Sequence, residues 1–361
     1  MDNFAKRGLT VQTQNKTILI MAGGTGGHVF PALACATALI KQGVSVQWLG
    51  TAQGLEAQIV PKVGIPLNIL TISGLRGKGL LSWFGAPFKI IKAILQAIEI
   101  IKKLKPNVIL GMGGFASGPG GIAAKLLGIP LIIHEQNAKA GLTNRILARV
   151  ANRVLVAFPS VFPKKIKAIH TGNPLRFDLL SEVLPEPRPI HQPLHLLIVG
   201  GSLGAQALNT MVPEAVANMQ QPVRIWHQTG QHHRIEPRPD SQDRVEPFIE
   251  NMAEAYRWAD VAVCRAGALT ISELAQMGVP SILVPFPHAV DDHQTANAEF
   301  LVHAGAAILI QQQDLNPMQL AQLLDNFVEN PEHLQQMSAA ARQCAKSDAT
   351  QDVIHYCLEM M

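Results

Sequence analysis

Several features that would decide a protein's class are scarce in this chain. Only four cysteines occur in 361 residues (Cys35, Cys264, Cys344 and Cys357), and no two of them form a C-x-x-C pair. That spacing excludes a disulfide scaffold or a zinc ribbon and points to a reducing compartment. Aromatic residues make up 5% of the chain, and the balance of 30 basic against 26 acidic residues leaves a net charge of only +4. With no zinc-finger spacing and no aromatic RNA-reading motif, a nucleic-acid partner is not expected. No run of about twenty apolar residues is present, which excludes an ordinary transmembrane helix. The opening segment MDNFAKRGLTVQTQN has no apolar h-region, so no secretory signal is expected. What is abundant is core material: hydrophobic residues are 48% and charged residues 16%. Disordered and fibrous classes are thereby excluded, and the length suggests about two domains.

Short apolar runs alternate with helical patterns. TILIMAGG (17–24), VSVQWLG (44–50), NVILGMGG (107–114), PLIIHE (130–135) and RVLVAF (153–158) read as strands in the first half. LHLLIVGG (194–201), VRIWHQ (223–228), DVAVCRAG (260–267) and PSILVPF (280–286) read as strands in the second. Strands separated by helices predict βαβ units and parallel sheets covered on both faces, an α/β fold. ILIMAGGTGGH (18–28) and LLIVGGSLGAQ (196–206) are both an apolar strand running into a glycine-rich turn and a helix, about 180 residues apart. This internal echo predicts two Rossmann-like domains. By composition alone the boundary falls in SEVLPEPRPIHQPLH (181–195), which holds four prolines.

Three strand–loop–helix junctions are glycine-rich: Gly23 to Gly27, Gly111 to Gly121, and Gly200 to Gly204. Glycine lets backbone approach a ligand closely, and a following helix aims its N–H groups and positive dipole end at the same space, which suits phosphate. The first loop lacks the G-K-[ST] of a P-loop NTPase and also fails G-x-G-x-x-G, because Val29 stands in the last position. Gly111-Met112-Gly113-Gly114-Phe115-Ala116 fits G-x-G-x-x-A with Glu135 downstream, which keeps a dinucleotide-dependent oxidoreductase as the alternative. His28, at the end of the first loop, is within reach of any ligand held there and can take a proton near neutral pH.

In the second half, CRAGALTISELAQMG (264–278) predicts a helix starting near Ala268, with the amides of Ala268, Leu269 and Thr270 open and Glu273 about one turn further on. Glu273 there either accepts hydrogen bonds from a ribose diol or simply favours the helix dipole. FPHAVDDHQTANA (286–298) gathers His288, Asp291, Asp292 and His293. The spacing matches no fixed metal geometry, and a polar loop bonding a sugar is the preferred reading.

Taken together these segments resemble the MurG family of bacterial glycosyltransferases. The resemblance rests on MAGGTGGHVFPALA (21–34), WLGT (48–51), ISGLRGKG (72–79), GMGGFASGPGG (111–121), HEQNAKAGLTN (134–144) and GNPLR (172–176). It continues through VGGSLGAQALN (199–209), IWHQTG (225–230), WADVAVCRAGALTISEL (258–274) and VPFPHAVDDHQTANA (284–298). It implies a GT-B architecture, with two Rossmann-like domains facing across a cleft. It moves the boundary to near Gly172: residues 1–172 plus 347–361 on the acceptor and membrane side, and 173–346 on the UDP-sugar side. The implied reaction transfers N-acetylglucosamine from UDP-N-acetylglucosamine to the muramyl 4-hydroxyl of lipid I, with inversion, giving lipid II for peptidoglycan synthesis.

By the same resemblance, His28 is the expected base. Ile249 would contact uracil through its backbone, Glu273 the ribose, and Ser202 and Arg176 the phosphates. The segment Ala268, Leu269, Thr270, Ile271, Ser272 together with Gln294, Asn137 and the turn Thr25, Gly26, Gly27 would surround the donor sugar. Gly24, Gly113, Gly114 and Ser117 would receive the acceptor's diphosphate. No Asp-x-Asp stands at a strand end, so neither a metal nor another cofactor is expected. A sugar-nucleotide-binding protein that has lost the chemistry is the alternative of a different class.

The resemblance also implies peripheral attachment to the cytoplasmic face of the bacterial inner membrane, and the segment Gly74 to Lys105 is a suitable contact. It carries seven basic residues (Arg76, Lys78, Lys89, Lys92, Lys102, Lys103, Lys105) against one acidic, Glu99. Leu75, Leu80, Trp83 and Phe84, with Lys89, are expected to meet an anionic lipid surface, while 90–104 is expected to form a helix packed on the sheet.

Overall fold

The computed structural model describes residues 16–71, 86–181, 186–201, 204–231 and 235–361. Among these residues thirteen strands form two sheets. The first contains β1 (Thr17–Met21), β2 (Ser45–Thr51), β3 (Leu67–Leu70), β4 (Val108–Gly111), β5 (Leu131–Glu135), β6 (Arg153–Val156) and β7 (Ile169–His170). The second contains β8 (Leu194–Val199), β9 (Val223–Gln228), β10 (Arg244–Glu246), β11 (Val261–Cys264), β12 (Ser281–Leu283) and β13 (Ala307–Leu309). Their orders are β3-β2-β1-β4-β5-β6-β7 and β10-β9-β8-β11-β12-β13. Every pairing is parallel, as in Ile20 beside Trp48 and Leu197 beside Trp226.

Both sheets thus follow the doubly wound Rossmann order, and the direction of winding reverses between β1 and β4 and again between β8 and β11. At such a reversal the two flanking helices lie on opposite faces, so their loops diverge and leave a crevice at the carboxyl ends of the strands. The glycine-rich segments after β1, β4 and β8 and the turn after β11 all open at these two points.

The nine strands expected from apolar runs are all present. The four not foreseen (β3, β7, β10 and β13) are the outer strands of the two sheets. Each sheet carries a core on both faces. Ile18, Ile20 and Trp48 pack on one side of the first sheet, and Leu19, Met21 and Leu49 on the other. Leu197 and Trp226, and on the opposite face Leu196 and Ile198, do the same in the second. The last helix, Ala349–Glu359, crosses back to the first sheet: it packs on the helix Gly26–Lys41, with Val353, Ile354 and Cys357 fully buried in that core.

The helix Ala86–Leu104 corrects one expectation. Its inner stripe is Ala93, Ala97 and Ile101, all buried, whereas Phe88, Ile90, Ile91 and Leu95 stand exposed. The helix begins before residue 90, and the apolar residues of 90–104 divide between two faces instead of all meeting the sheet. The expected membrane residues Leu75, Leu80, Trp83 and Phe84 lie outside the described residues, and Lys89 is exposed.

Candidate active site

The first glycine loop leaves β1 and enters the helix Gly26–Lys41 with Thr25 as its N-cap, in an extended conformation and without a side-chain capping bond. No acidic residue stands in the helix's first turn, so the amides of Gly26 and Gly27 and the dipole's positive end are presented to the crevice. Gly24 turns the chain with φ +91°. Behind it lies Glu56, with no exposed surface. Its carboxylate accepts from the Gly24 N–H at 2.9 Å, the Thr51 N–H at 2.8 Å and the Thr51 hydroxyl at 2.8 Å. Sequence reasoning passed over Glu56; its only signal was an acidic residue two positions after Gly54, between Leu55 and Ala57.

The second glycine loop packs against the first. A Cβ on Gly114 (φ +84°) would sit 2.4 Å from the Gly23 carbonyl oxygen, and one on Gly113 (φ +95°) would sit 2.6 Å from His28 Nδ1. Only glycine satisfies both the dihedral and the approach. Ser117, expected to bind a phosphate, instead links the two loops. It is fully buried, and its one hydroxyl proton is shared between Gly113 O at 2.7 Å and Met21 O at 3.0 Å, which leaves no donor for a ligand.

His28 lies on the floor of this crevice. Its Nδ1 is 3.0 Å from Gln136 Oε1, Gln136 Nε2 is 3.2 Å from His134 Nδ1, and His134 Nε2 is 2.9 Å from Gly172 O. His134 is fully buried, and burial pushes its pKa down to about 4. Next to it Glu135, 2% exposed, accepts from the Asn137 N–H at 3.0 Å, the Gly141 N–H at 3.1 Å and Asn144 Nδ2 at 2.9 Å. A carboxylate so occupied cannot receive a ribose, which removes the dinucleotide-fingerprint reading of Glu135.

Across the cleft, the helix Ala268–Met277 begins at Gly267 with no side-chain cap and no acid in its first turn. The amides of Ala268, Leu269 and Thr270 precede the first intrahelical hydrogen bond, so the helix itself supplies them no acceptor. Ile271 does not join them: its side chain is fully buried, and its N–H bonds Gly267 O at 2.9 Å. Glu273 lies one turn in, 8% exposed, and accepts from the Tyr256 hydroxyl at 2.9 Å. Burial raises its pKa to about 7, opposed by the Tyr256 hydrogen bond and the Arg176 charge. Arg176 itself is half-exposed at the start of the helix Phe177–Leu180, 3.7 Å from Asp178 Oδ1.

Ile249 is buried, and its N–H donates to Gln228 Oε1 at 2.9 Å, so its carbonyl is the backbone group left for a base. Gln228 also donates to Gly201 O at 3.0 Å, tying Ile249 to the third glycine loop. Ser202 lies outside the described residues. Gln294 Oε1 accepts from the Phe286 N–H at 2.9 Å and holds the 284–288 loop against its helix.

The two halves are joined at this cleft. Asn173 Nδ2 lies 3.2 Å from Gln136 O, 3.2 Å from Ala268 O and 3.0 Å from Ser272 Oγ. Buried Asn297 accepts from the Ala138 N–H at 2.8 Å and donates to Asn137 Oδ1 at 3.3 Å and Ala266 O at 3.1 Å. His28, Asn137, Ser272 and the start of the Ala268–Met277 helix therefore belong to one continuous network. His288, Asp291, Asp292 and His293 do not converge on a common point. Among the described residues the cluster with metal-ligand spacing is His191, His195 and Asp260. There Asp260 already accepts from the His191 and His195 N–H groups and from His191 Nδ1, and the two imidazoles stack at 4.0 Å.

Two Rossmann-ordered sheets whose carboxyl-end loops meet across a cleft, with an uncapped helix N-terminus on each side, define a GT-B glycosyltransferase fold. Residues 18–156 match the glycosyltransferase family 28 N-terminal domain and residues 195–353 its C-terminal domain. The chain belongs to glycosyltransferase family 28, and the likeness to the MurG proteins read from its motifs holds. A Methylococcus capsulatus protein is 52% identical over 353 residues, covering 95% of this chain and 98% of its own. A Pseudomonas putida protein is 50% identical over 358 residues, covering 96% and 98%. Both bear the name UDP-N-acetylglucosamine--N-acetylmuramyl-(pentapeptide) pyrophosphoryl-undecaprenol N-acetylglucosamine transferase. The crystal structure of Acinetobacter baumannii MurG superposes with a TM-score of 0.81 at 44% identity, covering 96% of this chain and 100% of that one. The glycosyltransferase of kitacinnamycin, 18% identical with a TM-score of 0.72, shares the fold.

Proposed function

We propose that this protein transfers N-acetylglucosamine from UDP-N-acetylglucosamine to the muramyl 4-hydroxyl of lipid I, with inversion, forming lipid II for peptidoglycan synthesis. The carrying observation is the cleft itself: a half-buried histidine on one wall faces an uncapped helix start with Glu273 one turn in on the other. The names of the full-length relatives supply the donor and the class of acceptor.

Inversion requires the acceptor hydroxyl and the departing UDP on opposite faces of the anomeric carbon. His28 removes the hydroxyl proton as the new bond forms. The developing charge on the leaving diphosphate is met by the amides of Ala268, Leu269 and Thr270, by the helix dipole and by Arg176. Glu273 takes the ribose hydroxyls and Ile249 the uracil. Thr25, Gly26, Gly27, Asn137, Ser272 and Gln294 surround the sugar. Gly24, Gly113 and Gly114 line the acceptor side, where the Gly26–Lys41 helix start favours its diphosphate.

The acceptor's lipid tail calls for a membrane contact. Among the described residues no helix is long and apolar enough to cross a bilayer. The exposed Phe88, Ile91 and Leu95 share a helix with Lys89, Lys92, Lys102 and Lys103, a pairing suited to an anionic leaflet at the cytoplasmic face. Residues 1–172 with 347–361 are assigned to the acceptor and membrane side, and 173–346 to the donor side, with the boundary near Gly172–Pro174. The test is mass detection of one N-acetylhexosamine added to a short-chain lipid I analogue, with UDP released only when that acceptor is present. No transfer, or acceptor-dependent turnover of a nicotinamide cofactor, overturns the reading.

A further inference from the structure

The line Gly172–His134–Gln136–His28 has a direction, and it can be read from one end. A backbone carbonyl only accepts, so His134 Nε2, 2.9 Å from Gly172 O, carries a proton. Buried and neutral, His134 holds a bare lone pair on Nδ1. The group 3.2 Å from that lone pair must donate, which turns the Gln136 amide so that its N–H₂ faces His134 and its oxygen faces His28. An amide oxygen only accepts, so His28 Nδ1, 3.0 Å away, carries the ring's proton, and Nε2 is left with a lone pair.

We propose that Gln136 and His134 are positioning residues that hold His28 in the Nδ1–H tautomer, with its basic nitrogen on the edge turned away from Gln136. The inference rests on the reading of His28 as the base. Without the relay nothing among the described residues specifies the tautomer, and a ring protonated on Nε2 would present a donor where a base is required. The reference point of the relay is the backbone at the crossing between the two sheets. Gly172 adopts φ +85° there, and Asn173 holds the Gln136 carbonyl at 3.2 Å. Gly113 leaves room for the ring, since a Cβ there would fall 2.6 Å from Nδ1. The orientation of the base is therefore set by three segments far apart in sequence.

The test uses the full chain labelled with ¹⁵N-histidine, with long-range ¹H–¹⁵N spectra at pH 8 and the His28 signals assigned by their loss in His28→Gln. The expected result is a pyrrole-type Nδ1 and a pyridine-type Nε2 for His28 in the unaltered protein. Gln136→Met, of similar volume and with no amide, should move His28 toward Nε2–H or an exchanging mixture. It should lower kcat by about tenfold or more while donor KM stays within about twofold. Gln136→Glu, as an acid donating to His134, still presents its carbonyl oxygen to His28 and should keep the tautomer and recover most of the rate. An Nε2–H signature for His28 in the unaltered protein overturns the proposal, as does an unchanged tautomer and kcat in Gln136→Met. Because the spectra are recorded without substrate, the tautomer stands or falls independently of whether sugar transfer is observed.

Discussion

The Tyr256 hydroxyl donates to Glu273 Oε2 at 2.9 Å, and the two residues are 1% and 8% exposed. This pair places a carboxylate with a pKa of about 7 one turn into the Ala268–Met277 helix, because burial disfavours its charge more than the tyrosine and Arg176 favour it. The ionised form is the better acceptor for a ribose diol. The KM for UDP-N-acetylglucosamine should therefore rise as pH falls through about 7. Steady-state kinetics from pH 6 to 9 should show that rise in the unaltered protein and lose it in Glu273→Gln, whose KM should be high throughout. Retention of the pH effect in the variant would assign it to another group.

The same carboxylate has a signature in stability. Its folded pKa of about 7 lies above the ordinary 4.5, so its contribution is fully present below about 4.5 and is lost as pH rises through 7. His134 runs the other way: depressed from 6.5 to about 4, it contributes above 6.5 and loses that contribution as pH falls through 4. Urea unfolding at pH 5 and pH 8 should show the unaltered protein losing up to about 3 kcal/mol relative to Glu273→Gln across that interval. A parallel pH response in the two proteins would refute the assignment.

Glu56 should behave as the keystone of the first glycine loop. Glu56→Ala leaves the Gly24 and Thr51 N–H groups and the Thr51 hydroxyl without their acceptor, and should cost about 2–4 kcal/mol in urea unfolding. Gly23→Ala, whose new Cβ would fall 2.4 Å from Glu56 Oε1, should lower both stability and kcat by displacing the same carboxylate. If Glu56→Ala proves as stable and active as the unaltered protein, the loop is held by other contacts.

As general base, His28 should contribute roughly 10²–10⁴-fold to kcat. His28→Ala should lose that factor while UDP-N-acetylglucosamine binding, followed by calorimetry, changes little. A folded variant with near-normal kcat removes His28 from the chemistry.

Phe88 and Leu95 are 78% and 57% exposed on the helix Ala86–Leu104, so replacing both with serine should leave thermal stability nearly unchanged. Co-sedimentation with anionic vesicles should weaken by at least about tenfold, since two large apolar side chains no longer leave water. Binding should also fall as salt screens the neighbouring lysines. Equal binding to neutral vesicles, or no effect of the double change, places the contact elsewhere.

The strands legible in the sequence were those covered on both faces. β1, β4, β5, β8 and β11 are nearly or wholly buried along their length, and double coverage demands the continuous apolar runs that make a strand readable. β3, β7, β10 and β13 are edge strands of two to four residues with half-exposed positions. Their sequences carry no such demand, and only pairing with an already formed neighbour makes them strands. The helix Ala86–Leu104 was legible as a helix packed on the sheet, with Ala97 and Ile101 in its core, but Ile90, Ile91 and Leu95 turn away: periodicity shows that an apolar stripe exists, but not which stripe meets the sheet.

Within the site, the sequence by itself determined the parts whose chemistry is local: the glycine turns, the helix starting at Ala268 and the position of His28 at a loop end. A backbone that must turn with positive φ, or a helix that must open its first amides toward a ligand, writes that need into adjacent residues. Tertiary structure alone decided Glu56 against Gly24, Tyr256 against Glu273, Gln228 against Ile249, and the line from Gly172 through His134 and Gln136 to His28. Apart from His134 and Gln136, which are two residues apart, the bonded partners lie from 17 to 108 residues apart. A buried polar group needs a partner, but which one it finds is set by where the sheets bring their carboxyl ends together.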